Sequence, residues 1–165
     1  MDAIGCIRAR RSIRRYSGEG IDEGDLRTIL ECGLSAPSGN NRQPWEFFVA
    51  KDKKKLEGLS DVCTYGKFIK NSQCCVIVTG DTSKSTHVVE DCSAATENML
   101  LAANALGYGG CWIAGWNKPY EGAVLEVMGI EAGDLRLVSL IALGRPAHTP
   151  PLRGDRSFEE CVHFS

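Results

Sequence analysis

Five of the eight residues from Arg8 to Arg15 in the stretch "RARRSIRRYS" are arginines, in a chain whose formal net charge is only -2. The positive charge is therefore local, and its chemistry is that of anion capture. A guanidinium presents a planar fork of donors that matches two oxygens of a phosphate at once. Ser12 adds a hydroxyl donor. On a helix end or turn, Arg10, Arg11, Ser12 and Arg14 can converge on one phosphate, leaving Arg8 and Arg15 to water. Charge alone leaves three readings open: a solvated basic face, contact with a nucleic-acid backbone, or one small anion held in a pocket.

Two further segments bear on that choice. "SAPSGNNRQPW" (35–45) gathers small residues, amides and a proline directly before an apolar run. Small residues let backbone approach a flat ligand, and Asn41 and Gln43 can each donate and accept at the edge of a heterocycle. "GGCWIAGW" (109–116) carries glycines that expose backbone amides beside a flat ring. Other chemistries leave no trace. There is no G-x-x-x-x-G-K-[ST] loop, and the glycines at 107, 109, 110 and 115 miss the G-x-G-x-x-G spacing. His87, His148 and His163 stand isolated, and no G-x-S-x-G elbow or paired acids announce a hydrolase.

The elements that must position these segments are readable from periodicity. A first helix is expected over 2–10. A second follows Asp22 as its cap, with acidic residues in its first turn and Leu26, Ile29, Leu30 and Leu34 on one face. It stops at the Pro/Gly/Ser/Asn-rich loop. "WEFFVAK" reads as a strand, "DKKKLEGLS" as a short polar helix and "CCVIVTG" as a buried strand. The longest helix is expected from Val88 to Leu106, burying Val89, Cys92, Thr96, Met99, Ala103 and Leu106, with Gly107 as its stop. "GGCWIAGW" is a short strand, "YEGAVLEVMG" a helix with Val124, Leu125 and Met128 on one side, and "LRLVSLIALG" the last strand. Interspersed helices and strands imply a central sheet with helices packed on it. The proline-stiffened tail from Arg145 onward is too polar for core and is expected to lie across a surface, its own or a partner's.

Bulk properties bound the class. A chain of 165 residues, 43% apolar and 24% charged, suits one soluble domain over residues 1–165 that needs neither metal nor disulfides to build a core. No run approaches a membrane span, and the N-terminus has no signal-peptide core, so a cytoplasmic protein with no membrane partner is expected. An isoelectric point near 5.9 argues against a general nucleic-acid binder. Eight cysteines without a C-x-x-C pair read as reduced thiols packed as small hydrophobes rather than as zinc ligands.

Taken together and in this order, "RRSIRRY" (10–16), "SAPSGNNRQPWEF" (35–47), "NMLLAANALGYGGCWIAG" (98–115), "IALGRP" (141–146) and "RSFEECVH" (156–163) resemble the nitroreductase family of FMN-dependent NAD(P)H oxidoreductases. The resemblance implies an α+β fold, a three-layer α-β-α sandwich around a mixed, mainly antiparallel sheet. It implies a homodimer with the C-terminal tail laid on the partner and FMN sites at the interface. Arg10, Arg11, Ser12 and Arg14 would hold the FMN phosphate and ribityl region. Pro37, Ser38, Gly39 and Asn41 would reach the flavin from the other subunit. Trp112, Ile113 and Ala114 would border the ring, with a backbone amide at 114 or 115 near flavin N5. Arg145 or Arg156 would add charge at the phosphate. NADH or NADPH would deliver a hydride to N5, and a small acceptor such as a nitroaromatic or quinone would then be reduced in ping-pong fashion. The chemistry would be the cofactor's, with no catalytic side chain and no metal.

Two departures qualify the implied substrate. Some relatives place Glu-Gly beside flavin N5 where this chain reads Ala114-Gly115. Only "DTSKSTH" separates the "CCVIVTG" strand from the long helix, where larger relatives insert a helical lid. Two other functions compete: an FMN-binding storage or redox-sensing protein with little turnover, and an anion- or nucleic-acid-binding module using the arginines.

Overall fold

A computed structural model describes residues 2–151, 154 and 156–165. The apolar run at 74–80 forms β2 (Cys74–Asp81), which pairs at the centre of a four-stranded sheet with β4 (Leu135–Gly144). Outside them lie β1 (Trp45–Ala50), next to β2, and β3 (Gly109–Ala114), next to β4. All three pairings between these strands are antiparallel. Among the described residues the parallel component reduces to one isolated bridge, Ser12 with Gly110. The two central strands are covered on both faces, which is why their sequences run apolar without alternation.

Helices cover both faces, giving the expected three layers. On one face α2 (Glu23–Leu34) and α4 (Val88–Ala105) supply Leu26, Ile29, Cys92 and Met99 to a core with Val76 and Ile141. On the other, α3 (Lys53–Val62) and α5 (Glu121–Met128) supply Leu56, Leu59 and Val124 to a core with Ile77 and Leu140. A bulge in β4 interrupts the register between Val78 and Thr79. It leaves the Val138 carbonyl to accept from the Gly115 and Trp116 amides at 2.9 and 3.1 Å, ending β3 there. Beside it Ser139 shares a buried hydroxyl–hydroxyl hydrogen bond with Thr96 of α4, 2.7 Å long.

The expected elements are present with small displacements. The first helix, α1, covers Ala3–Ala9 and is capped by the Asp2 carboxylate on the Gly5 amide. The buried stripe of α4 starts at Val88 rather than Val89, because Val88 is the residue four positions before Cys92. Leu106, expected at the other end of that stripe, is the C-cap and faces solvent, and Leu34 at the end of α2 is exposed too. Six cysteines (6, 63, 74, 75, 92 and 111) are buried, Cys32 is half-buried and Cys161 exposed; all are free thiols. The described part of the tail carries a short helix, α6 (Phe158–Cys161), and is exposed on this subunit. Residues 152, 153 and 155 of the tail lie outside the described residues. Among the described residues no helix is long and apolar enough to cross a membrane.

Candidate functional site

The arginine stretch leaves α1 and runs along the open edge of the sheet. Ser12 bridges Gly110 of β3, and Ile13 donates its amide to the Gly110 carbonyl at 3.0 Å. Ile13 is buried, and a Cβ on Gly109 would sit 2.5 Å from it. Glycine at 109 is thus what lets the two segments approach so closely. Farther on, Tyr16 bridges Pro146 and donates its hydroxyl to the carbonyls of Ile13 and Ala142, at 2.8 and 3.1 Å. Burial holds that phenol protonated, well above its ordinary range.

The arginines are not equivalent. Arg11 turns back on its own helix and donates to the carbonyls of Arg8 and Arg10 (2.9 and 2.5 Å), so it satisfies the C-terminus of α1. Arg10 pairs with Glu97 of α4 at 3.3 Å. Arg14 is exposed, with its guanidinium 5.8 Å from the centre of the Phe68 ring and a marginal 3.5 Å contact to the Ser12 carbonyl. Arg14, Arg15, Tyr16, Ser17, Gly18 and Asn71 line a polar concavity here. Under this segment lies the Cys111 thiol, whose pKa is raised by burial against an opposing pull from Arg14.

The same edge presents the strand residues of the third segment. Because the Gly110 carbonyl meets Ile13, it faces away from β4, and by strand alternation so do the backbone groups of Trp112 and Ala114. Trp112 and Ala114 are exposed, whereas the Ile113 side chain is buried in the α3/α5 core. The Ala114 carbonyl accepts from the buried Tyr120 hydroxyl. The Gly115 amide is committed to Val138, so of the two amides expected to face a ligand, it is Ala114 whose N–H lies on the open edge.

The loop carrying Pro37, Ser38, Gly39 and Asn41 sits elsewhere. It leads into β1, at the opposite edge of the sheet from β3. Three strand spacings of ~4.8 Å separate those edges by about 14 Å. The loop is tightly made. A 3₁₀ turn covers Gly39–Asn41, Gln43 donates its amide to the Ser38 hydroxyl at 3.0 Å, and Asn40, Asn41 and Gln43 all have positive φ (52, 57 and 47°). One of its ties to the rest of the fold is Asp91 in α4, whose Oδ1 accepts the Gly39 amide at 2.9 Å. Asp91 was not visible in the sequence as a site residue, since an acid in the first turn of a helix has an ordinary reason to be there.

The two late arginines are placed differently. Arg145 is held inside its own subunit: 4.7 Å over the Tyr108 ring, 3.3 Å from the Tyr108 hydroxyl and 3.5 Å from Glu19. Tyr108 is in turn fixed by Asp25, to which its hydroxyl donates at 2.8 Å. Arg156 is on the exposed tail, 3.9 Å from Glu160. One subunit therefore gathers Arg10, Arg11, Ser12, Arg14, Trp112 and Ala114 along one edge, and leaves the 37–41 loop and Arg156 away from it.

The sequence and the fold have close counterparts. The model of the nitroreductase family matches residues 7–66 and 61–145. A candidate NADH dehydrogenase/NAD(P)H nitroreductase of Archaeoglobus fulgidus is 37% identical over 150 residues, 88% of this chain and 86% of the relative. The solved structure of an FMN-dependent nitroreductase from Clostridium difficile superposes with a TM-score of 0.91 at 31% identity, covering 98% of each chain. A candidate nitroreductase from Desulfovibrio desulfuricans, solved in complex with FMN, superposes with a TM-score of 0.89 at 30% identity over 100% of this chain and 97% of the other. With both segments of the family's pattern matched and its fold reproduced end to end, this chain belongs to the nitroreductase family.

Proposed function

We propose that the protein is an FMN-dependent oxidoreductase that takes reducing equivalents from NADH or NADPH and passes them to a small acceptor such as a nitroaromatic or a quinone. The observation that carries this reading is the open edge of β3, where outward-facing backbone at Trp112 and Ala114 continues the edge that Ser12 bridges at Gly110, with the exposed Arg14 two residues beyond Ser12. A phosphate at one end and a flat polar ring at the other is the shape of a flavin mononucleotide. FMN, when bound, supplies the hydride chemistry.

The chain's own residues bind and orient. Ser12 and Arg14 would hold the phosphate, with Arg10 and Arg11 adding charge behind them. Ala114 would offer its N–H to the ring, steadied by Tyr120 at its carbonyl. No acid or base is needed from the protein, which fits the absence of a dyad in the sequence. Ala114 cannot do the work of the glutamate found at this point in some relatives, so the acceptor's orientation falls to the ring and its surroundings.

The placement of the 37–41 loop at the far edge supports a site completed by a second copy. In a homodimer, Pro37, Ser38, Gly39 and Asn41 of one subunit would close over the flavin of the other. Arg156, on the tail, would be delivered to the partner's phosphate more readily than Arg145, which Tyr108 and Glu19 already hold.

The test is a visible spectrum under argon. Purified protein reconstituted with FMN should be yellow, and NADH or NADPH should bleach it within the dead time of hand mixing. Protein that takes up no FMN would sink the reading. Bound flavin that neither nicotinamide reduces would instead favour a flavin store or redox sensor.

A further inference from the structure

We infer that Asp91 is a positioning residue for the flavin site, acting through the 38–43 loop; this rests on the reading that the loop borders FMN. Asp91 is a carboxylate only 4% exposed, and both its oxygens are used. Oδ1 accepts the Gly39 amide at 2.9 Å and Oδ2 accepts the Ser85 hydroxyl at 2.9 Å. Ser85 in turn accepts the His87 amide at 3.0 Å, and the Asp91 amide donates to the His87 carbonyl at 2.9 Å. Burying a carboxylate without a cation is costly. Asp91, in the first turn of α4, has no salt-bridge partner among the described residues, and is met instead by two neutral donors from outside that helix, the Gly39 amide and the Ser85 hydroxyl.

What that arrangement secures is the loop. Three side-chain-bearing residues of the 38–43 segment sit in the left-handed region, each at a cost of order 1–3 kcal/mol. Such backbone persists only where its surroundings over-determine it. The loop's internal bonds, Gln43 amide to Ser38 hydroxyl and Asn41 amide to Ser38 carbonyl, fix its shape but not its position. Its position is set by the Gly39–Asp91 bond, by Arg42 donating to the Lys84 carbonyl at 3.0 Å, and by close packing of Gly39 on His87. A Cβ on Gly39 would lie 3.0 Å from the His87 ring, so the loop packs tightly against the start of α4 beside the Gly39–Asp91 bond. Asp91 is the only one of these anchors that is both buried and charged.

The experiment compares wild type, Asp91→Ala and Asp91→Asn in the full-length chain. Two quantities are read: the FMN dissociation constant from flavin fluorescence, and the amide exchange rate of Gly39 in the FMN-free protein by NMR. Asp91→Ala should weaken FMN at least tenfold and speed Gly39 exchange at least tenfold, while core amides of β2 keep their protection. Asp91→Asn, which keeps one acceptor oxygen for Gly39, should recover most of both. If Asp91→Ala does not fold, Asp91→Asn against wild type still decides: an Asn variant as impaired as an unfolded core overturns the positioning role. So does wild-type FMN affinity in Asp91→Ala, or exchange that rises equally at Gly39 and in β2. A wild-type protein that binds no FMN defeats the underlying reading, whereas Gly39 exchange still tests the anchor.

Discussion

Arginines that look alike in "RARRSIRRYS" do different work once folded. Arg11 caps its own helix, Arg10 leans on Glu97 and Arg14 faces outward beside Ser12. Arg14→Ala should therefore weaken FMN by the worth of a charged hydrogen bond, about 1.5–3 kcal/mol or roughly 10- to 150-fold, with little change in stability. Arg8→Ala, at an exposed helix position, should leave FMN affinity as it is; a fluorescence titration of both variants separates a specific phosphate contact from general charge. The sequence set Arg8 and Arg15 apart as solvated, but the division among Arg10, Arg11 and Arg14 was not legible in it. Charge and spacing name the cluster, but which guanidinium is spent on a carbonyl depends on where α1 ends and on what α4 places opposite. The cysteines were more legible, because a small apolar residue inside an apolar run has one ordinary place to go. Burial pushes the Cys63 thiol up to about 11 and the Cys74 and Cys92 thiols to about 12. Native protein treated with a thiol reagent at neutral pH should accordingly be slow to react at Cys63, Cys74 and Cys92, and mass mapping that found Cys74 or Cys92 labelled early would contradict this packing.

Between elements, the decisive contact is the one joining the arginine stretch to β3. It depends on Gly109, where a Cβ would lie 2.5–2.8 Å from three Ile13 side-chain atoms. Gly109→Ala should force Ile13 away, costing about 1–3 kcal/mol as overpacking does, and should weaken FMN because Ser12 moves with its neighbour. Urea unfolding and an FMN titration on one variant read both effects, and wild-type values in both would refute the coupling. The strands and helices themselves follow from periodicity and caps: Asp22 accepts from Gly24 and Asp25 as its place before an apolar stripe demands. What periodicity could not give is order in the sheet. Nothing local tells that β3 pairs with β4 rather than β2, and so nothing told that the 37–41 loop and the arginines lie at opposite edges. The β4 bulge was hidden for the same reason, since the residues of "LRLVSLIALG" do not alternate regularly between apolar and polar and cannot show where the register slips. The Leu34 and Leu106 errors belong to helix ends, where a continuing stripe and a fraying turn look alike.

At the scale of the whole molecule, two properties follow. The first is a loss of stability in alkali. Thiols of the unfolded chain ionise near their ordinary value of 9, while Cys63, Cys74 and Cys92 in the fold keep their protons to about 11 or 12. Between those values the unfolded state binds fewer protons than the folded one, so the contribution of these thiols to stability is constant below about pH 9 and falls from there toward 12. Urea midpoints taken from pH 7 to 10.5 should show that break, and Cys92→Ala, which keeps a small apolar side chain, should fall less steeply.

The second property, which rests on the proposed homodimer, is assembly. Phe158 and Phe164 are 59% and 87% exposed on the single subunit, with ring centres 6.3 Å apart and little else to touch. Val162 is exposed between them, and Ile4, Ile7 and Leu34 are uncovered on the body of the fold. Burying a side chain of this size stabilises by roughly 1.5–3 kcal/mol, so a tail of this composition is placed to bind another surface. If the second subunit both receives the tail and closes the flavin site, the two losses must go together. Sedimentation should give about twice the 17.9 kDa chain mass. The double variant Phe158→Ser/Phe164→Ser should shift toward monomer and lose FMN in parallel, with affinity returning as protein concentration is raised. A monomeric variant that holds FMN as tightly as wild type would mean that one edge of one sheet suffices, and the loop at the far edge would need another purpose.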